Sequence, residues 1–161
     1  MKVRLEKDLD LALRATSLAG ALALHHREHG LFIESKADES PVTQADRQAE
    51  AIIVRSILEE FPEDGLLGEE GASREAANGR RWIIDPIDGT RDFVRNIPHW
   101  AVFLALEVNG VVELGVVRFP ALGEVYWAVR GEGAYRNGSR IQVSGVTDPG
   151  QAMICRNGLD K

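Results

Sequence analysis

One cysteine, Cys155, stands among the 161 residues, so no internal disulfide framework exists, and the composition fits a reducing cytoplasm. Basic runs are lacking too. Nineteen Lys and Arg are outnumbered by 25 Asp and Glu, and the net charge of −6 is spread along the chain, which argues against a nucleic-acid partner. An anionic ligand would need cations gathered locally. The apolar runs fall far short of the roughly 20 residues a membrane helix needs. The N-terminal MKVRLEKDLD places acids where a secretory signal carries its apolar core. These absences leave a cytoplasmic protein with no membrane contact as the expectation. With 44% apolar and 27% charged residues, the chain is able to bury the core of one globular domain.

Helical spacing of Leu5, Leu9, Ala12, Leu13, Thr16, Ala19 and Ala23 predicts a first helix from about Leu5 to His29. It ends in HHREHG, cations followed by glycine, so His25, His26 and His29 are expected to face solvent or the helix dipole and not a metal. LFIESK reads as a short strand and KADESP as a polar loop. TQAD resembles a capping box and predicts a second helix beginning at Thr43 and ending before Pro62. Ala49, Ile53, Ile57 and Phe61 supply its buried stripe, and Arg47, Glu50, Arg55 and Glu59 are expected on a solvated face. Beyond it the period changes to that of strands: WII, AVFLALEV, VVELGVVRF, EVYWAV and RIQVS. Two pairs are joined through Asn109-Gly110 and Asn137-Gly138, which favour tight hairpins. The expected class is α+β, two long helices packed on an antiparallel sheet. Residues 1–148 form this domain. After TDPG, QAMICRNGLDK opens another strand-like run, so 149–161 is expected to start a further, largely missing α/β domain.

Four carboxylates crowd GEEG at 68–71 and DPIDGT at 85–90. Glu69, Glu70, Asp85 and Asp88 would repel one another unless basic side chains or metal ions sit among them. Asp85 closes an apolar strand, Pro86 forces a turn, Asp88 follows within ion-sharing reach, and Gly89 permits close backbone approach. TRDFV then suits a helix start whose free N–H groups point at the turn. Carboxylates beside such donors make sense when a phosphate arrives with hard cations. Magnesium takes oxygen ligands and keeps waters and substrate phosphate in its shell, whereas zinc prefers the His and Cys absent nearby. Candidate ligands are Glu69, Asp85, Asp88 and the Ile87 carbonyl. The bland reading leaves these acids as turn caps and loop solvation. Arg80, at the other end of the same strand, is expected to stand outside any site, and its loss to leave activity nearly intact.

In order and spacing, KADESPVTQAD, GEEG, WIIDPIDGT and FVRNIPHWAVFLAL resemble the motifs of the inositol monophosphatase family of metal-dependent, lithium-sensitive phosphatases. The resemblance implies hydrolysis of a small phosphorylated metabolite with Mg2+ as cofactor. It implies that Glu69, Asp85 and the Ile87 carbonyl hold one ion and that Asp85 and Asp88 contribute to a second. Gly89 and Thr90 would present N–H groups to the phosphate, alongside Asp88. Asp46 would bond the Thr90 hydroxyl, which with Glu69 orients and deprotonates the attacking water. Lys36 matches a lysine on a mobile loop, and Arg91 could meet an anionic substrate group or be structural. The stretch around KADESPVTQADRQAE leans toward the histidinol-phosphatase branch over the inositol branch. Association into a homodimer is a further expectation. Family members carry, in a second domain, a WDxAxG motif that completes the second metal site, and no tryptophan here is followed by aspartate. The chain is therefore read as a truncated member, with a non-catalytic metal- and phosphate-binding module as the alternative.

Overall fold

The computed structural model describes residues 5–30, 33–35 and 41–153; Lys36, Ser40 and Cys155 lie outside the described residues. In chain order the elements are α1 (Glu6–His29), β1 (Ile33–Ser35), β2 (Pro41–Thr43), α2 (Gln44–Glu60), β3 (Gly65–Gly68), β4 (Ser73–Arg74), β5 (Arg80–Asp88), α3 (Thr90–Val94), β6 (Ala101–Val108), β7 (Val111–Phe119), β8 (Glu124–Val129), β9 (Gly133–Arg136) and β10 (Ser139–Ile141). Short 3-10 turns follow β7 and β10, at Pro120–Leu122 and Pro149–Gln151.

Both long helices form where apolar periodicity and end signals agree. Acids Glu6 and Asp8 occupy the first turn of α1, and His26, Arg27 and His29 the last, complementing its dipole. His29 bonds the His25 carbonyl at 2.8 Å and His26 meets Gln48 of α2 at 2.7 Å, so these rings tie a helix end together. Thr43 caps α2, its hydroxyl accepting from the Ala45 N–H at 3.1 Å while Asp46 reaches back to the Thr43 N–H.

The sheet has eight strands in the order β10-β9-β8-β7-β6-β5-β3-β4. Every pair is antiparallel except β3 with β5, which run parallel. Asn109-Gly110 and Asn137-Gly138 both take positive φ, as the tight hairpin requires. The second of these joins β9 to β10, so GAYR, not the EVYWAV of β8, is its first strand. Only Ser139–Ile141 of the expected RIQVS pairs. Beyond it, Gln151 ends a 3-10 turn where a strand was expected, and the rest of that run from 154 lies outside the described residues.

Helices cover one face: α1 lies on β6 and β7, and α2 on α1 and β5. Trp82, Ile84, Leu104, Leu106, Leu114 and Val116 point inward against Ile53, Ile57 and the alanines of α1. Each such large side chain contributes about 1.5–3 kcal/mol by leaving water. The inward alternation of β5 makes Trp82 and Ile84 the anchors that fix the position of Asp85 at their end.

Arg80, at the start of β5, is no inert surface cation. It donates to both oxygens of buried Asp64 at 3.0 and 3.1 Å and also bonds buried Asp8. Asp64 in turn accepts from Trp82 Nε1 at 2.9 Å and from Asn78 at 2.8 Å. Arg80 therefore fastens α1, the entry to β3 and β5 together.

Candidate functional site

One turn of α2 and the turn after β5 meet through hydroxyl and carboxylate groups. Asp46 is 1% exposed, and its Oδ2 accepts both the Thr43 N–H (2.7 Å) and the Thr43 hydroxyl (2.6 Å). Its other oxygen lies 3.3 Å from the Thr90 hydroxyl, which is also 3.0 Å from the Ile87 carbonyl. Burial raises the Asp46 carboxyl above its ordinary range, the Thr43 bonds oppose this, and the charge of Glu70 adds to it. Gly89 precedes Thr90 with φ of 85°, and a Cβ there would approach the His99 carbonyl to 3.1 Å. Only glycine combines that backbone with that contact.

The register of β5 with β6 breaks between Asp85 and Asp88, which frees the DPID segment from regular pleating. Asp85 is half-buried, and its pKa is pushed up to about 8, first by burial, then by the charge of Glu69, a hydrogen bond with Glu69 and the charge of Asp88. Asp88 is raised as well, by burial, Glu69 and Asp92. Glu69 is brought to Asp85 by its own N–H, which donates 3.1 Å to the Ile84 carbonyl. The charges that dominate around Asp85 are thus carboxylates, and one of its oxygens, Oδ1, is buried without a hydrogen-bond partner.

That orphaned oxygen tests the fit of a hard cation. A carboxyl oxygen out of water with no hydrogen-bond partner is costly, and a divalent ion that displaces the carboxyl proton satisfies it. Among the described residues no group of three His, Cys, Asp or Glu side chains is drawn together closely enough to hold an ion unaided. The set that is assembled is the Glu69–Asp85 pair, with Asp88 raising Asp85 and itself raised by Glu69, and the Ile87 carbonyl on the same turn. Magnesium is commonly held by one or two carboxylates and completes its shell with waters and phosphate, so the donors present fit it.

Sequence reasoning placed Glu50 on a solvated face, and the structure corrects this: Glu50 is buried and its carboxylate accepts the Glu70 and Ala72 N–H groups, each at 2.9 Å. The signal was present in the phase of α2, because Asp46 and Glu50 share the stripe of Ala49, Ile53 and Ile57. Arg47, Arg55 and Glu59 are exposed, and so is Arg91.

A profile of the inositol monophosphatase family matches residues 4–157. A histidinol-phosphatase of Chlorobaculum parvum is 52% identical over 148 residues, 91% of this chain and 57% of that protein. A fructose-1,6-bisphosphatase/inositol-1-monophosphatase of Thermotoga maritima is 41% identical over 137 residues, 84% of this chain and 53% of its own length. Among solved structures, the extragenic suppressor protein suhB of Bartonella henselae superposes with a TM-score of 0.84 at 33% identity, over 88% of this chain and 56% of that one. The chain spans about half the length of the curated relatives it matches.

Proposed function

The chain belongs to the inositol monophosphatase family, and from that premise we propose that it supplies the metal- and phosphate-binding half of a hydrolase of small phosphate monoesters. The observation that carries this reading is the orphaned Asp85 oxygen beside the Glu69 and Asp88 carboxylates, which raise Asp85, on the same turn as the Thr90 hydroxyl. Glu69, Asp85 and the Ile87 carbonyl are the ligands for one Mg2+, and Asp85 with Asp88 contributes to a second. Bound there, magnesium lowers the pKa of water and shields charge on phosphoryl oxygens.

The chain's own groups do the remaining work. Gly89 and Thr90 turn their N–H groups toward the phosphate, a role for which the positive φ of Gly89 suits that turn. The Thr90 hydroxyl keeps its proton in a hydrogen bond to Asp46, leaving its oxygen to accept a hydrogen bond from an incoming water; Glu69 takes one proton of that water and the other stays on the oxygen that joins phosphorus. The water oxygen bonds to phosphorus, the ester P–O bond breaks, and the alkoxide leaving group is protonated from solvent. Asp88 serves as a ligand and not as a nucleophile, because a carboxylate committed to a cation attacks poorly. Histidinol phosphate is the substrate placed first, since the Chlorobaculum parvum relative carries the higher identity, with inositol 1-phosphate second.

The test is release of inorganic phosphate from both substrates by the 161-residue chain, with Mg2+ and with EDTA. Metal-dependent release that Asp85→Asn lowers about a hundredfold or more supports the reading, since removal of a transition-state electrostatic contact typically costs that much. Metal binding without turnover favours a binding module. Turnover indifferent to EDTA and to Asp85→Asn would sink the site.

A further inference from the structure

We infer that Glu50 is a positioning residue for the metal site: its buried carboxylate pins the Glu69–Glu70 turn to α2 and so fixes where Glu69 meets Asp85. This rests on the reading of Glu69 and Asp85 as ligands given above. Both Glu50 oxygens are committed, Oε2 to the Glu70 N–H and Oε1 to the Ala72 N–H, each at 2.9 Å. The turn they hold is closed by the Gly68 N–H donating 2.6 Å to the Ala72 carbonyl. Gly68 makes room for the carboxylate: a Cβ there would stand 2.2 Å from Glu50 Oε2 and 2.6 Å from its Cδ. On the far side of Glu69, its own N–H is tied to the Ile84 carbonyl next to Asp85. The turn is therefore fastened at two points, one on the helix and one on the strand.

A buried carboxylate is a costly way to close a turn, and here it adds a negative charge beside Glu69 and Glu70. Its advantage is geometric. Charge-assisted bonds to two N–H groups fix the loop in direction as well as distance, which an apolar contact does not. Asp46 lies one helical turn before Glu50 on the same face, roughly 6 Å along the axis. Asp46 bonds Thr90, and Glu50 holds the loop of Glu69. One face of α2 therefore spaces the hydroxyl that meets the water from the turn that carries the ligand.

Glutamine at 50 keeps one acceptor and turns an NH2 toward the other N–H, so the turn loses one of its two bonds to the helix. The experiment measures Mn2+ binding by water-proton relaxation for the 161-residue chain and for Asp85→Asn, Glu50→Gln, Gly68→Ala and Ile57→Val, each at a temperature where circular dichroism shows it folded. Asp85→Asn is expected to lose binding. Glu50→Gln and Gly68→Ala are each expected to weaken Mn2+ by about tenfold or more, as loss of an outer-shell partner does. Ile57→Val, which loosens the core of the same helix two turns away, is expected to lower the melting temperature and leave Mn2+ affinity unchanged. A folded Glu50→Gln that binds Mn2+ within about twofold of the parent chain overturns the inference, given the range expected for outer-shell loss. So does an Ile57→Val that weakens Mn2+ as much as Glu50→Gln, since helix stability would then explain both. Should Glu50→Gln not fold, Gly68→Ala decides by the same criterion. Mn2+ binding that survives Asp85→Asn removes the site reading itself, an outcome distinct from the other two.

Discussion

At the scale of single residues, Asp85 gives the site a measurable signature. Its folded pKa of about 8 lies above the ordinary 3.8, so between those values the folded chain holds a proton that the unfolded chain has released. Stability then falls as pH rises through that window, by linkage, and this contribution is complete below about pH 4. Asp46 and Asp88 are raised too and act with the same sign. In EDTA, the urea midpoint is expected to drop between pH 4 and pH 8, and Asp85→Asn to flatten much of that slope. Mg2+ affinity is expected to climb over the same range, because the ion competes with the proton. A midpoint that rises toward pH 8 in EDTA would contradict the assignment. Gly89 makes a second residue-level prediction: Gly89→Ala forces φ of 85° on alanine and pushes its Cβ toward the His99 carbonyl, at a cost of about 1–3 kcal/mol in unfolding free energy, read by urea denaturation. That Asp85, Asp88 and Gly89 share one turn at the end of an apolar strand was legible in the sequence, because proline, glycine and acids within six residues allow few backbone paths. The bonds of Asp46 to Thr43 and Thr90 were legible only in part. The cap with Thr43 is local, but the contact with Thr90 spans 44 residues and came from family resemblance.

At the scale of elements, β5 explains why a control chosen from sequence is a poor one. Its C-terminal end carries the acids, and its first residue, Arg80, neutralises buried Asp8 and Asp64. Arg80→Ala leaves Asp8 without its cation and Asp64 with only the neutral donors Asn78 and Trp82, and breaking a buried pair in this way costs about 3–5 kcal/mol. Urea denaturation is expected to show that loss, while Arg55→Ala, whose pairing with Glu59 is exposed at 3.9 Å, stays within about 0.5 kcal/mol of the parent. If Arg80→Ala proves as benign as Arg55→Ala, the network is ornamental. Nothing near Arg80 in the sequence announces its role, since its partners lie 72 and 16 residues away. The long helices and β6 to β8 were readable from period and Asn-Gly turns. β3, β4 and β9 were not, being two to four residues long and in two cases glycine-bearing, so pairing with a neighbour and not local preference makes them strands.

At the scale of the whole molecule, the site joins segments that are distant in sequence: α2 at 46–50, the turn at 68–72 and the DPIDGT turn at 85–90. Substrate choice is the part least legible here, for a physical reason. On the proposed reading every phosphate monoester would present the same group to Gly89, Thr90 and the ions, so residues that would meet the phosphate carry no information about the alcohol attached to it. What this chain does contain makes a prediction that needs no substrate. An ion held between the 68–72 turn and the DPIDGT turn would bind the folded chain and not the unfolded one, and at a hundred times its dissociation constant it adds about 2.7 kcal/mol. For a domain of this size that corresponds to a rise in melting temperature of several degrees. Mg2+ is expected to produce the rise, EDTA to reverse it, Asp85→Asn to abolish it and Arg55→Ala to leave it intact. A rise that persists in Asp85→Asn would place the ion elsewhere on the molecule, and no rise at all would mean that the acids hold a proton in place of a metal at neutral pH.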